Sequence, residues 1–154
     1  MKVLKYIVKG DPRTKKNSQT IAGAGPRCPE CHKFKKQWIR QGKANDKWAE
    51  IAGWQLRTQR RPRRPIDFPV IVRYRYYTKI DYQNSKAKID ENNLNEAMDD
   101  ILVNVGILAD DNIRVVAGHD GTRVFHDKDN PRVEIFIYRL PDETPEQMQF
   151  LKGE

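Results

Sequence analysis

The sequence predicts a single small α+β domain, with a mixed β-sheet packed against two main helices. Three observations predict it. At 154 residues the chain has room for one compact core. Its apolar residues change period along the chain, from alternation to three- and four-residue spacing and back. The resulting order is strand, helix, strand, helix, strands, without internal repeats, which is an α+β pattern. The domain is expected to occupy residues 1–140, followed by a polar C-terminal tail over 141–154.

Residues 2–9 read as a first strand, with Val3, Leu4, Tyr6, Ile7 and Val8 mixed with lysines. From Gly10 to Gly42 the composition shifts to Lys, Arg, Gly, Pro and Ser with little periodicity. A long, mobile basic loop is expected there, and such loops in small domains are usually functional. Over 44–59, Trp48, Ile51, Ala52 and Leu56 recur at helical spacing. Arg60-Arg-Pro-Arg-Arg-Pro65 ends that helix, since proline cannot continue it. Residues 68–78 alternate, Val70, Val72, Tyr74 and Tyr76 facing one way and Arg73 and Arg75 the other, as in a half-buried strand. Residues 80–89 form a polar connection into a second helix. Ile113–Ala117 and Arg123–Phe125 flank Asp120-Gly121, a hairpin signal. Val133–Tyr138 alternates as another strand, and 141–154 is expected to be frayed or a short helical tail.

Charge is distributed unevenly. Residues 1–64 hold 18 basic and 4 acidic side chains, whereas 65–154 hold 11 basic and 17 acidic. A cationic half suits a polyanion, and nucleic acid is the leading one. Arg13, Lys15, Lys16 and Asn17 in the long loop, and Arg60, Arg61, Arg63 and Arg64 after the first helix, are the candidate DNA contacts. A solvated helix end with a favourable dipole accounts equally well for the second group. No apolar run reaches the ~20 residues that cross a bilayer. Lysines interrupt the N-terminus too often for a signal-peptide core. Two cysteines three positions apart cannot build a disulfide framework. A cytoplasmic protein without membrane association is expected.

The stretch Ile89–Asn112 carries the chemistry. Leu94, Ala97, Met98, Ile101, Leu102 and Val105 form the apolar stripe of an amphipathic helix. Asn93, Glu96 and Asp100, at i, i+3 and i+7, form a second stripe beside it. Asp90 stands at the helix start, and Asp110-Asp111 follow the terminating glycine. Taken singly, each has an ordinary role: Asp90 as a cap, Asp110-Asp111-Asn112 as a turn, Glu96 and Asp100 as a solvated face. Taken together in a basic protein, the clustered carboxylates repel each other, and a hard cation such as Mg²⁺ would offset that repulsion.

Arg27-Cys-Pro-Glu-Cys-His-Lys33 is a C-x-x-C knuckle. Zn²⁺ takes four thiolate or imidazole ligands, and only Cys28 and Cys31 are well placed. A metal-free, reduced loop and a zinc site completed from elsewhere both remain open.

Four blocks carry a resemblance to a known family: Gly10–Ser18, Asp90–Asn112, His119–Val124 and Asp129–Ile135. Their order and their D-x-x-N-L…D-x-L…G…D-D centre resemble the RusA family of Holliday junction resolvases, in its bacteriophage and prophage branch. The resemblance implies a RusA-like fold and a homodimeric, Mg²⁺-dependent endodeoxyribonuclease, with Mn²⁺ as a substitute ion, that nicks four-way junctions symmetrically. It places the family's metal-binding aspartates on Asp90 and Asp111. It places Asn92 where the family has a second aspartate, and Glu96 where some members have lysine. On this reading Glu96 replaces the missing carboxylate in the catalytic set, and Asp100 matches a further acidic position. The alternative is a non-catalytic or degenerate nucleic-acid-binding protein, with or without a zinc knuckle. A general nuclease or ribonuclease would share the metal chemistry and differ in substrate.

Overall fold

The structure, a computed structural model, describes residues 3–14, 20–22, 30, 38–40 and 43–140. In chain order the elements are β1 (Leu4–Lys9), β2 (Thr20–Ala22), β3 (Trp38–Arg40), α1 (Lys43–Thr58), β4 (Val70–Thr78), α2 (Glu91–Asn104), β5 (Val116–Gly118), β6 (Arg123–His126) and β7 (Arg132–Arg139). Five strands form one mixed sheet. β7 lies between β1 and β4 and is antiparallel to both, while β5 and β6 run parallel to β4 on its other side. With its two helices this is the expected α+β domain.

One face of the sheet makes the core. Tyr6 and Val8 of β1, Val72, Tyr74 and Tyr76 of β4 and Val133, Ile135 and Ile137 of β7 are buried there. Trp48, Ala52 and Leu56 of α1, and Leu94, Met98, Ile101 and Leu102 of α2, close over them. α2 therefore buries the stripe that its three- and four-residue spacing defines, whereas α1 buries Trp48, Ala52 and Leu56 but leaves Ile51 of its expected stripe exposed. Val105 caps the C-terminus of α2, and Gly106 follows with φ +78, a left-handed conformation that glycine adopts without a Cβ penalty.

The outer edge of β1 is closed by side chains. The Gln59 amide donates to Ile7 O at 2.7 Å and accepts from Ile7 N at 3.1 Å, while Gln55 treats Lys9 in the same way at 2.8 and 2.7 Å. Two glutamines, one on α1 and one just past its end, thus satisfy backbone groups that an open edge would offer to another strand.

Two expectations need correction. The hairpin between 113–117 and 123–125 does not form. β5 pairs with Val70–Ile71 and β6 with Arg75–Thr78, so they are two segments of one edge, both parallel to β4. The Asp120-Gly121 turn exists, with Gly121 at φ +79, but it is a jog in that edge. Where the jog interrupts the ladder, buried Thr122 accepts from Tyr74 N through Oγ1 at 3.0 Å. A local turn signal cannot say that both flanks pair with a third strand. The 10–42 stretch is likewise not one continuous loop, since β2 and β3 pair antiparallel within it. Three-residue strands are too short to show a period against a basic background. The 141–154 tail lies outside the described residues.

Candidate active site

α2 sorts its polar residues by face. Asp90, Asn92 and Glu96 are exposed and Asn93 and Asp100 half-buried, as the second stripe requires. Asn95 and Asp99 point the other way and are buried. The Tyr76 hydroxyl donates to Asn95 Oδ1 at 2.8 Å and the Tyr74 hydroxyl to Asp99 Oδ1 at 2.5 Å. His119 Nε2 lies 2.9 Å from Asp99 Oδ2. Burial, reinforced by the Asp99 carboxylate, holds both phenols well above the usual tyrosine pKa, so they remain donors. This network fastens α2 to the sheet and turns the second stripe outward.

Asp100 and Asp111 meet at one cleft. Its volume is about 420 Å³, and it is lined by Asp46 from the first turn of α1, Asp100 and Asn104 from α2, and Asp111 from the following loop. Asp110 is a turn residue: its carboxylate accepts from Asp111 N at 2.7 Å and from Asn112 Nδ2 at 2.6 Å, and these bonds lower its pKa. The Asp111 pKa is raised by its side-chain hydrogen bond with Asp110, by slight desolvation and by the negative charge of Asp100. The repulsion expected of clustered carboxylates is therefore present at this end of the helix.

Asp90 is not part of that cleft. It caps the helix N-terminus, Oδ1 accepting from Asn92 N at 2.9 Å. Ten residues separate it from Asp100, about 15 Å of rise along an α-helix. Within one chain the length of α2 thus sets Asp90 apart from the cleft that Asp100 and Asp111 share. Glu96 lies part-way along the same face. Near Asp90's end a second cleft, about 330 Å³, is lined by Asp81, Glu91 and His126. Among the described residues no three His, Cys, Asp or Glu side chains converge on a metal-ion site. The donors of the first cleft are carboxylate and amide oxygens, which suit a hard cation.

Of the candidate DNA contacts, Arg13 lies 3.5 Å from Asp11, and Arg61 donates to Val105 O at 2.8 Å, capping the C-terminal carbonyls of α2. Arg60, Arg63 and Arg64 are exposed. Lys15, Lys16 and Asn17, and the zinc candidates Cys28 and Cys31, lie outside the described residues. Sequence reasoning missed Asp46, since an acid in a helix's first turn reads as a dipole partner. It also missed the Asp99–Tyr74–His119 network, whose members approach only through tertiary packing. No described helix is long and apolar enough to cross a membrane.

A carboxylate cleft on a small α+β domain of a basic chain has the charges that cleaving a phosphodiester requires. The family model described as Endodeoxyribonuclease RusA matches residues 26–138, and the chain belongs to that family. The match takes in the three blocks from Asp90 onward and leaves Gly10–Ser18 outside. The family consists of endodeoxyribonucleases that act on Holliday junctions and generally depend on divalent metal ions. No curated protein matches the chain.

Proposed function

We propose that the protein resolves four-way DNA junctions by paired symmetric nicks, acting in the cytoplasm as a homodimer with Mg²⁺, for which Mn²⁺ can substitute. One observation carries this reading: Asp90 caps the N-terminus of α2, while Asp111 lies in the loop past its C-terminus, on one cleft with Asp100, so a single protomer would hold half a site at each end. A two-fold axis running across α2 would set two such helices antiparallel. Asp90 of one subunit, with Glu96 behind it, would then approach Asp100 and Asp111 of the other, giving two equivalent sites. Two sites related by a two-fold axis suit a substrate whose two scissile strands are similarly related.

The residues divide the work. Asp111, Asp100 and the partner subunit's Asp90 would hold the ion, with Glu96 replacing the carboxylate that Asn92 lacks. The ion would supply an activated water and charge stabilisation on the leaving oxygen. Asp110 orients the Asp111 backbone through its 2.7 Å hydrogen bond. The exposed Arg60, Arg63 and Arg64 would draw phosphates towards a cleft that would otherwise repel them.

Mixing two inactive variants tests both chemistry and assembly. Asp90→Asn and Asp111→Asn alone should each cut labelled junctions more than about 100-fold more slowly, since even residues behind metal ligands contribute about 10–100-fold. Exchanged into heterodimers, they should regain nicking, because one of the two sites then has both aspartates. Sites built within single protomers would give no rescue. The absence of three converging carboxylates among the described residues favours one rival, a binding-only protein; a wild-type protein that binds junctions equally in Mg²⁺ and EDTA and cuts none would establish it.

A further inference from the structure

The sheet face turned away from α1 and α2 has its own composition. Strand pairing arranges it in rows. In the first, Lys5 and Arg73 flank Phe136; in the second, Glu134 and Arg123 flank Arg75; in the third, Arg132, Tyr77 and Phe125 follow Lys9. These rows hold six cations and one carboxylate. Lys5, Lys9, Arg75, Arg123 and Phe125 are exposed. Arg132 is bound to Asp127 and Glu134 at 3.0 and 3.3 Å, which leaves a clear cationic surplus.

The rings are ordered as well. Tyr77 and Phe125 stack at 5.2 Å between centroids and 23° between planes. The Arg132 guanidinium lies 3.7 Å from the Tyr77 centroid, while Lys5 and Arg75 approach Phe136 at 5.3 and 5.4 Å. An exposed ring set among cations can stack a planar base while its neighbours neutralise phosphates. A second copy of the chain fits poorly, because two-fold self-pairing would set cations against cations. The occupant has to be anionic, and the ring pair favours one that also presents planar groups.

We propose that this open face binds a single DNA strand, with phosphates on Lys5, Arg75 and Arg123 and a base on the exposed Phe125 ring, which Tyr77 and Arg132 back from the other side. It rests on DNA being the substrate but is independent of the cleft chemistry. A strand unpaired at a branch point would lie on the sheet while a duplex arm met the nuclease cleft.

The test is fluorescence anisotropy in EDTA, where nothing is cut, with labelled oligothymidine and a matched linear duplex. The triple variant Lys5→Gln/Arg75→Gln/Arg123→Gln should bind oligothymidine about tenfold or more weakly, with a salt slope shallower by about 2, at roughly 0.7 per lost single-strand contact. Phe125→Ala should weaken oligothymidine about fivefold or more through lost stacking, leaving the salt slope and duplex affinity unchanged. Circular dichroism and thermal unfolding confirm that each variant is folded. Unchanged oligothymidine affinity in the triple variant overturns the proposal. An equal loss on duplex and single strand with Phe125→Ala overturns the role of the rings. Failure of the nuclease reading looks different: wild-type protein leaves junctions uncut in Mg²⁺ while the face variants still lose oligothymidine affinity.

Discussion

β4 shows two kinds of surface made by consecutive residues. Tyr74 and Tyr76 point into the core with no exposed area, whereas Arg73, Arg75 and Tyr77 point away from both helices. Inward, a hydroxyl is buried where a specific acceptor waits on α2, Asp99 for Tyr74 and Asn95 for Tyr76. Buried polar atoms are tolerated on that condition. Outward, the charged ends of Arg73 and Arg75 lie over the Tyr138 and Phe136 rings, each 5.4 Å from the centroid. The inner face therefore depends on fixed pairing, while the outer face has charge to offer a ligand. Substitutions of similar size should separate the two, destabilising the protein inside and altering binding outside.

The largest effect is expected at the centre of the inner face. Leu102 has no exposed area and belongs to the core between α2 and the sheet. Leu102→Ala should cost about 2–5 kcal/mol of unfolding free energy, from lost transfer energy plus the cavity left behind. Urea denaturation with an unchanged m-value measures it; a shift within about 0.5 kcal/mol, typical of surface sites, would contradict its place in the core.

Next comes the polar pairing. Tyr74→Phe removes the hydroxyl that donates to Asp99, and an unsatisfied buried group costs about 1–3 kcal/mol. His119, also on Asp99, should keep the loss near the lower end. The pH dependence sharpens this. Burial raises the Tyr74 pKa above its ordinary value of 10.0. The stabilisation is therefore complete below the unfolded pKa and is lost as pH rises through the folded one. Wild-type stability should fall above about pH 10, and Tyr74→Phe should fall less steeply. Parallel alkaline profiles would mean that Tyr74 ionises equally easily in both states.

How legible these surfaces were in the sequence depended on the range of the interaction. The alternation over Val70–Tyr76 is enough to separate the inward from the outward residues of β4, since period two is a local property. The apolar stripe of α2 was legible for the same reason. Asn95 and Asp99 were not, because their partners on β4 lie 19 and 25 residues back and the pairing exists only after packing. The jogged edge was misread because Asp120-Gly121 encodes a turn without encoding what its flanks pair with. At the cleft, Asp111 and Asp100 came through motif spacing, whereas Asp46 arrives from another helix and leaves no local trace. The separation of Asp90 from Asp111 was legible in principle, since the helix between them has a fixed rise per residue.

The smallest effect is expected on the outer face, and it tests the comparison most directly. Arg75 is exposed, opposite Glu134 on β7 and Arg123 on β6, with its guanidinium 5.4 Å from the Phe136 ring. Replacing it by glutamine removes an exposed cation–ring contact of about 0.5–1 kcal/mol and an attraction to Glu134. It also removes repulsion from Arg123 and Arg73. These contributions oppose each other, so Arg75→Gln should stay within about 0.5 kcal/mol of wild type. The remainder should depend on salt: at low ionic strength the relief of repulsion counts most, and at ~0.15 M, where the Debye length is about 8 Å, the variant should move towards lower relative stability. Denaturation at two salt concentrations reads this directly. A salt-independent loss approaching that of Leu102→Ala would show that Arg75 is part of the packed structure, and the division between the two faces would fail.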